Sequence, residues 1–205
     1  MAAEARIAER GGYPVRAGGG LPAGAARAAM HLLDNGADAL VSFGLAGGLD
    51  PALRPGTVVI PTTVLTASRR FAADPNLIAC FGGPTPHVLL AGSAVVAGRE
   101  EKAALWAATG AHAVDLESGA VAEVAAQHGV PFAVIRAICD PAERTLPPAA
   151  LVALDAEGGI GPLRVLASVL RRPSQIPDLL RLARDASAAR AALVRLVAVG
   201  SAAES

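Results

Sequence analysis

Apolar positions along the chain follow two periods that alternate. Runs rich in Val, Ile, Leu and Thr at 38–43, 57–65, 87–97, 111–116 and 131–139 predict strands. Between them, stretches at 24–35, 99–109 and about 118–128 have helical spacing, with Gly36 and Gly129 as stops. Arg27 and His31 lie one turn apart on the first helix, and Arg99, Glu100, Glu101 and Lys102 on the second are expected to face water. Pro61 implies an edge, a bulge or a bend in its strand, and Asp74-Pro-Asn76 a turn. Strands alternating with helices predict an α/β fold, a mainly parallel sheet flanked by helices. Beyond Asp140 the pattern turns helical, over 148–156, 161–171, 176–184 and 186–199, and residues 201–205 read as frayed. The expected organisation is one domain, 1–205, with an α/β core to 145 and a helical C-terminal extension over 146–200.

Composition narrows the function classes. Hydrophobic residues make up 53% of the 205 and aromatics only 3%, so Ala, Val, Leu and Ile must build the core. A net charge of zero argues against a general nucleic-acid binder. Cys80 and Cys139 show neither metal nor disulfide spacing, which suits a reducing cytoplasm. His31, His87, His112 and His128 share no metal spacing either. Glu4, Arg6, Glu9 and Arg10 exclude an apolar signal-peptide core at the start. Gly82-Gly-Pro-Thr-Pro-His87 breaks the uncharged run between Asp74 and Arg99, so no span of about 20 apolar residues forms there. Seven arginines against two aspartates give residues 160–199 a local charge of +5. Such helices could present solvated faces, form an oligomer contact, or rest on an anionic membrane surface.

The chemistry concentrates in 113–140. This stretch reads as a carboxylate at a helix entrance, a helix, a buried strand, and a second carboxylate where that strand ends. Glu117 and Asp140 lie 23 positions apart, yet such a unit can point both into one crevice beyond the strand ends. Two acids there suit a polyol at one and a proton-accepting leaving group at the other. Plainer readings exist for each residue. Asp140 could start a turn with Pro141, and Glu117 could complement a helix dipole. Asp115 reads as a cap and Glu123 as part of a solvated face. Arg136, inside a buried strand, needs a partner such as Asp115 or Glu117, or approaches the active site. The glycines of Gly44–Gly48 form an expected turn whose backbone can approach a ligand closely.

Two blocks carry a family resemblance: Ala113-Val-Asp-Leu-Glu-Ser-Gly through Cys139-Asp140, and Val41-Ser-Phe-Gly-Leu-Ala-Gly-Gly-Leu-Asp-Pro with Leu53-Arg-Pro-Gly-Thr-Val-Val-Ile-Pro61. Together they resemble the nucleoside phosphorylase and nucleosidase superfamily over roughly 1–145. Glu4-Ala-Arg-Ile-Ala, the Gly-rich block and Arg171-Arg-Pro-Ser-Gln-Ile-Pro-Asp-Leu-Leu-Arg-Leu-Ala-Arg look most like the hopanoid-associated phosphorylases. The resemblance implies that Asp140 protonates adenine at N7, which a raised pKa and general acid catalysis would support. It also implies that Glu117 binds the ribose 2′- and 3′-hydroxyls through charged hydrogen bonds, with Leu116 in place of the family Met. Gly44, Ala46, Gly47 and Gly48 would line the substrate, and Arg6, Arg27 and Gly20 would meet phosphate. Leu45 stands where phosphate-binding relatives often carry Ser, and Cys139 where relatives often carry Ser beside the acid. The implied reaction releases adenine from a 5′-substituted adenosine, adenosylhopane in that subfamily. Inorganic phosphate is the co-substrate, and neither cofactor nor metal is needed. A hydrolytic nucleosidase, or a nucleoside-binding protein without turnover, are the alternatives. A small-molecule nucleoside, lipid-linked in that subfamily, a homo-oligomer and a cytoplasmic location, with peripheral contact at the inner membrane face through the Arg-rich tail, complete the expectation. Family members normally have a buried strand running into the segment at Glu4, which here begins three residues after Met1.

Overall fold

Strand β1 (Leu40–Gly48) alternates buried and part-buried residues along its length. The further strands are β2 (Val58–Val59), β3 (Thr63–Leu65), β4 (Arg70–Ala72), β5 (Leu89–Ala91), β6 (Ala113–Asp115) and β7 (Phe132–Asp140). These elements come from a computed structural model that describes residues 2–151, Ser168 and residues 171–202. β7 is buried throughout except at Cys139, the pattern of a strand covered on both faces. It pairs in parallel with β1, from Leu40 opposite Phe132 to Ala46 opposite Ile138. The sheet order is β2-β7-β1-β6-β5-β3-β4.

Pairing in this sheet is mixed. β1–β7, β3–β5 and β5–β6 are parallel, whereas β1–β6, β2–β7 and β3–β4 are antiparallel. Of the antiparallel pairs, β3–β4 follows from a short connection. β3 and β4 are joined by a turn in which Thr66 N–H donates to the Arg69 carbonyl at 2.9 Å, and a link that short cannot make a parallel crossover. Pro61 acts as a bend: the predicted strand 57–65 splits around it into β2 and β3. The predicted strand 87–97 shrinks to β5.

The Gly44–Gly48 segment is not a turn. It continues β1, pairing with β7 to Ala46 and then antiparallel with β6 at Gly47 and Gly48. Glycine is needed there for close approach rather than for reversal: a Cβ on Gly44 would lie 2.4 Å from Arg136 Nη1.

Helices cover both faces. α1 (Ala2–Glu9), α2 (Pro22–Asp34), α3 (Pro75–Ala79), α4 (Arg99–Thr109), α5 (Ser118–His128), α6 (Pro148–Leu151) and α7 (Ile176–Ala202) are arranged around the sheet. α2 and α5 close one core with Leu40, Val64, Leu89, Val134 and Ile138. α1, α3 and α7 close the other, where Ile7, Ile78 and Leu193 pack on Ile60, Ala133 and Ile135. Asp74 caps α3 by accepting from Leu77 N–H at 2.9 Å, so the expected turn opens a short helix with Pro75 in its first turn. Gly129 ends α5 at φ 65°, as its position predicts. The helices expected at 176–184 and 186–199 are one continuous helix, α7. Most of the helix expected at 161–171, the end of 148–156 and residues 203–205 lie outside the described residues. Among the described residues, no helix is long and apolar enough to cross a membrane.

Candidate active site

β6 and β7 flank β1 and run in opposite directions, but their registers set Val114 and Asp140 both opposite Gly47, so two acidic segments arrive at one place. β6 ends at Asp115, followed by Leu116 and by Glu117, which caps the start of α5. β7 ends at Asp140. A register shift in the β1–β7 ladder after Ala46 sets Gly47 opposite Asp140, turning the end of β7 relative to its neighbour. Glu117 and Asp140 line one cavity of about 650 Å³, with Gly20, Gly44, Ala46, Gly47, Leu116 and Arg136 on its wall. α7 closes the opposite side with Leu179, Leu182, Ala183 and Ala186.

Around Glu117 the polar groups form a connected set. Glu117 Oε1 accepts from Gly20 N–H at 2.9 Å, and Oε2 lies 3.6 Å from Arg136 Nη2. Gly18 must lack a side chain, because a Cβ would approach Glu117 Oε1 to 2.7 Å. Arg136 is 1% exposed and pairs with Asp115 Oδ2 at 2.5 Å. Its Nη2 also donates to Ser42 Oγ at 2.7 Å and Ser118 Oγ at 3.2 Å. Asp115 accepts from Ser118 N–H at 3.1 Å and Ser118 Oγ at 2.6 Å, the capping role its position predicts. Breaking a buried pair of this kind costs about 3–5 kcal/mol, because the remaining charge is stranded. The network therefore holds Glu117 at the cavity wall.

Asp140 sits differently. It is 6% exposed, and burial pushes its carboxyl above the ordinary range, opposed by Lys102 and Arg144. Lys102 Nζ meets Asp140 Oδ2 at 2.6 Å, and donates to the Pro141 and Arg144 carbonyls at 3.1 and 2.9 Å. Asp140 Oδ1 is buried without a hydrogen-bond partner. Cys139 does not orient this acid: its thiol donates to the Ala46 carbonyl at 3.6 Å, and burial pushes it up to about 12.

Lys102 is the residue that sequence reasoning missed. It was expected to face water, but its side chain is fully buried. The available signal was its place on α4, where Lys102, Leu105 and Thr109 form the inward row at i, i+3 and i+7. Other expected residues lie elsewhere. Arg6 and Arg27 are exposed and line no part of the cavity, because each projects from the outer face of its helix. Gly48 also lies off the cavity wall, where a Cβ would meet Ile138 and Ala142. The arginines on the wall are Arg136 and Arg190, the latter paired with Glu4 at 2.9 Å. Glu123, expected on a solvated face, pairs there with Arg69 at 2.9 Å. A second cavity of about 470 Å³, lined by Leu40, Phe43 and Phe81 among others, shares Glu4 and Glu117 with the first.

Similar architectures are known. The fold matches Helicobacter pylori MTAN at TM-score 0.52 and 20% identity, over 58% of this chain and 64% of that one. It matches the 5′-methylthioadenosine/S-adenosylhomocysteine nucleosidase of Neisseria meningitidis, solved with methylthio-immucillin-A, at 0.54 and 24%, over 83% and 75%. The corresponding nucleosidase of Colwellia psychrerythraea, solved with adenine, matches at 0.54 and 22%, over 71% and 73%. This chain thus spans about two thirds to three quarters of those proteins' lengths. The sequence model of the phosphorylase superfamily matches residues 13–159, which include Glu117, Lys102, Arg136 and Asp140. On that match the chain belongs to the phosphorylase superfamily.

Proposed function

We propose that this protein cleaves the bond between adenine and ribose in a 5′-substituted adenosine. The observation that carries this reading is that Glu117 and Asp140 share one cavity wall. Asp140 protonates the purine at N7, so that adenine leaves as a neutral molecule from an oxocarbenium-like sugar. A buried carboxyl suits this role, since burial favours the protonated form needed for donation. Glu117, held by Gly20 and Arg136, accepts from the two ribose hydroxyls. Gly44, Ala46, Gly47 and Leu116 give the nucleoside a smooth apolar wall.

Two nucleophiles fit this arrangement. Phosphate is the one that the resemblance to hopanoid-associated phosphorylases implies, with Gly20 beside it. The pairing of the wall arginines supports water: Arg136 and Arg190 are both already paired to carboxylates. A phosphate dianion would have to compete with those carboxylates for the same guanidinium groups. Apolar α7 residues and the adjoining second cavity support a large apolar 5′-group, adenosylhopane by resemblance. The Arg-rich tail supports contact with an anionic membrane where such a lipid would reside, and the superfamily resemblance supports a homo-oligomer.

Adenine release from methylthioadenosine and longer 5′-alkylthio adenosines, with and without phosphate, tests the reading. Release should occur in wild type and fall by about 10²–10⁴-fold in Asp140→Asn with the fold retained. Undiminished release in that variant overturns the assignment. Phosphate-independent release selects hydrolysis, and strict phosphate dependence selects phosphorolysis.

A further inference from the structure

We infer that Lys102 is a positioning residue that sets which oxygen of Asp140 meets the purine and how readily that oxygen gives up its proton. The inference rests on the reading of Asp140 as the acid. Three features of the structure carry it. Lys102 comes from α4, 38 positions before its partner, and is fully buried. Its three ammonium protons have three acceptors: Asp140 Oδ2, the Pro141 carbonyl and the Arg144 carbonyl. The same contacts therefore pin both the carboxyl and the chain that follows β7. Asp140 Oδ1, buried and unpartnered, is the oxygen left for a ligand.

A solvated surface lysine would not be taken out of water to make this pair, because desolvating an ammonium is costly unless every proton finds an acceptor. Here every proton does. The carboxylate it ends on is Asp140, on the cavity wall beside Gly47.

The step balances as follows. Asp140, protonated on Oδ1, transfers that proton to purine N7 as the glycosidic electron pair moves onto the base. Asp140 becomes a carboxylate, and its new charge faces an ammonium already in contact. Burial loads the acid, and Lys102 lets it discharge. Other charged groups around this carboxyl are Arg144 in the following loop, its partner Asp185 on α7, and the Arg190–Glu4 pair beside Cys139. Arg144 is neutralised by Asp185, so Lys102 is the cation in direct contact with the acid.

The test compares wild type, Lys102→Met and Lys102→Gln for adenine release from methylthioadenosine across pH. A general acid works while protonated, so kcat falls as pH rises through its pKa. Without the ammonium, Asp140 holds its proton more tightly. The alkaline limb of kcat should then move to higher pH, and plateau kcat should drop roughly tenfold or more, with KM changing less. Lys102→Gln keeps a donor but no charge, so it separates orientation from charge and serves if the Met variant does not fold. Lys102→Met placed on Asp140→Asn should cost little more than Asp140→Asn alone, because the lysine acts through the carboxyl. An unmoved limb in whichever variant folds, or additive losses in the double variant, overturns the inference. Full activity in Asp140→Asn defeats the underlying reading instead, so the two failures are distinguishable.

Discussion

Replacing Gly44 by alanine perturbs the site through a single methyl group. The added Cβ would sit 2.4 Å from Arg136 Nη1, where ordinary contact begins near 3.4 Å, so the guanidinium must withdraw by about 1 Å. Arg136 has little room to withdraw, being 1% exposed and bonded to Asp115, Ser42 and Ser118. Overpacking of this kind costs about 1–3 kcal/mol, and loosening the buried pair brings the expected total toward the upper end. For a chain of this size, that is a fall in Tm of roughly 4–12 °C. Thermal and urea unfolding of Gly44→Ala, Arg136→Met and the double variant measure the effect directly. In the Met background the methyl should be nearly neutral, giving a large coupling between the two positions. Because Arg136 also holds Glu117, nucleoside affinity should fall in Gly44→Ala. A variant as stable as wild type, or costs that simply add, would refute the account of this glycine.

Further outcomes follow from other contacts. Glu117→Gln should raise KM for the nucleoside about 10–100-fold, since charged hydrogen bonds are worth about 1.5–3 kcal/mol; initial-rate kinetics at fixed phosphate decide it. Burial tends to raise the Glu4 carboxyl, but the Arg190 hydrogen bond, a backbone hydrogen bond and nearby positive charge together outweigh it and hold the group below 4.5. A lowered folded pKa means stability present above 4.5 and lost as pH falls through the folded value. Glu4→Gln should therefore flatten the acid limb of a stability–pH curve as pH falls below 4.5, read by urea melts. Exposed Cys80 should react quickly with a thiol reagent at pH 8, while part-buried Cys139, pushed up to about 12, should react far more slowly. Two equally fast thiols would contradict the raised thiol assigned to Cys139.

What could be read from the chain was what local chemistry dictates. α4 and α5 have the bounds that helical spacing and the flanking Gly110 and Gly129 require. β7 declares itself by an apolar run closed with an acid. The pairing of Arg136 with Asp115 and Glu117 was also legible, because a charge inside such a strand must find a partner. Other features were decided only by packing. The Gly44–Gly48 string reads locally as a turn, yet neighbours on both sides draw it into β1, and Gly44 makes room for Arg136 instead. Arg6 and Arg27 differ in no local way from a ligand-binding arginine, and only the orientation of α1 and α2 sends them outward. Lys102 shows the limit most clearly. Within α4 it is one of several charges near a helix start. Its burial depends on a carboxylate 38 residues away and on two carbonyls beyond β7, and no local pattern contains those partners. Periodicity and end signals, being nearest-neighbour effects, lie in the sequence itself. The choice of which charges are desolvated together belongs to the tertiary structure, because that energy exists only once distant segments meet.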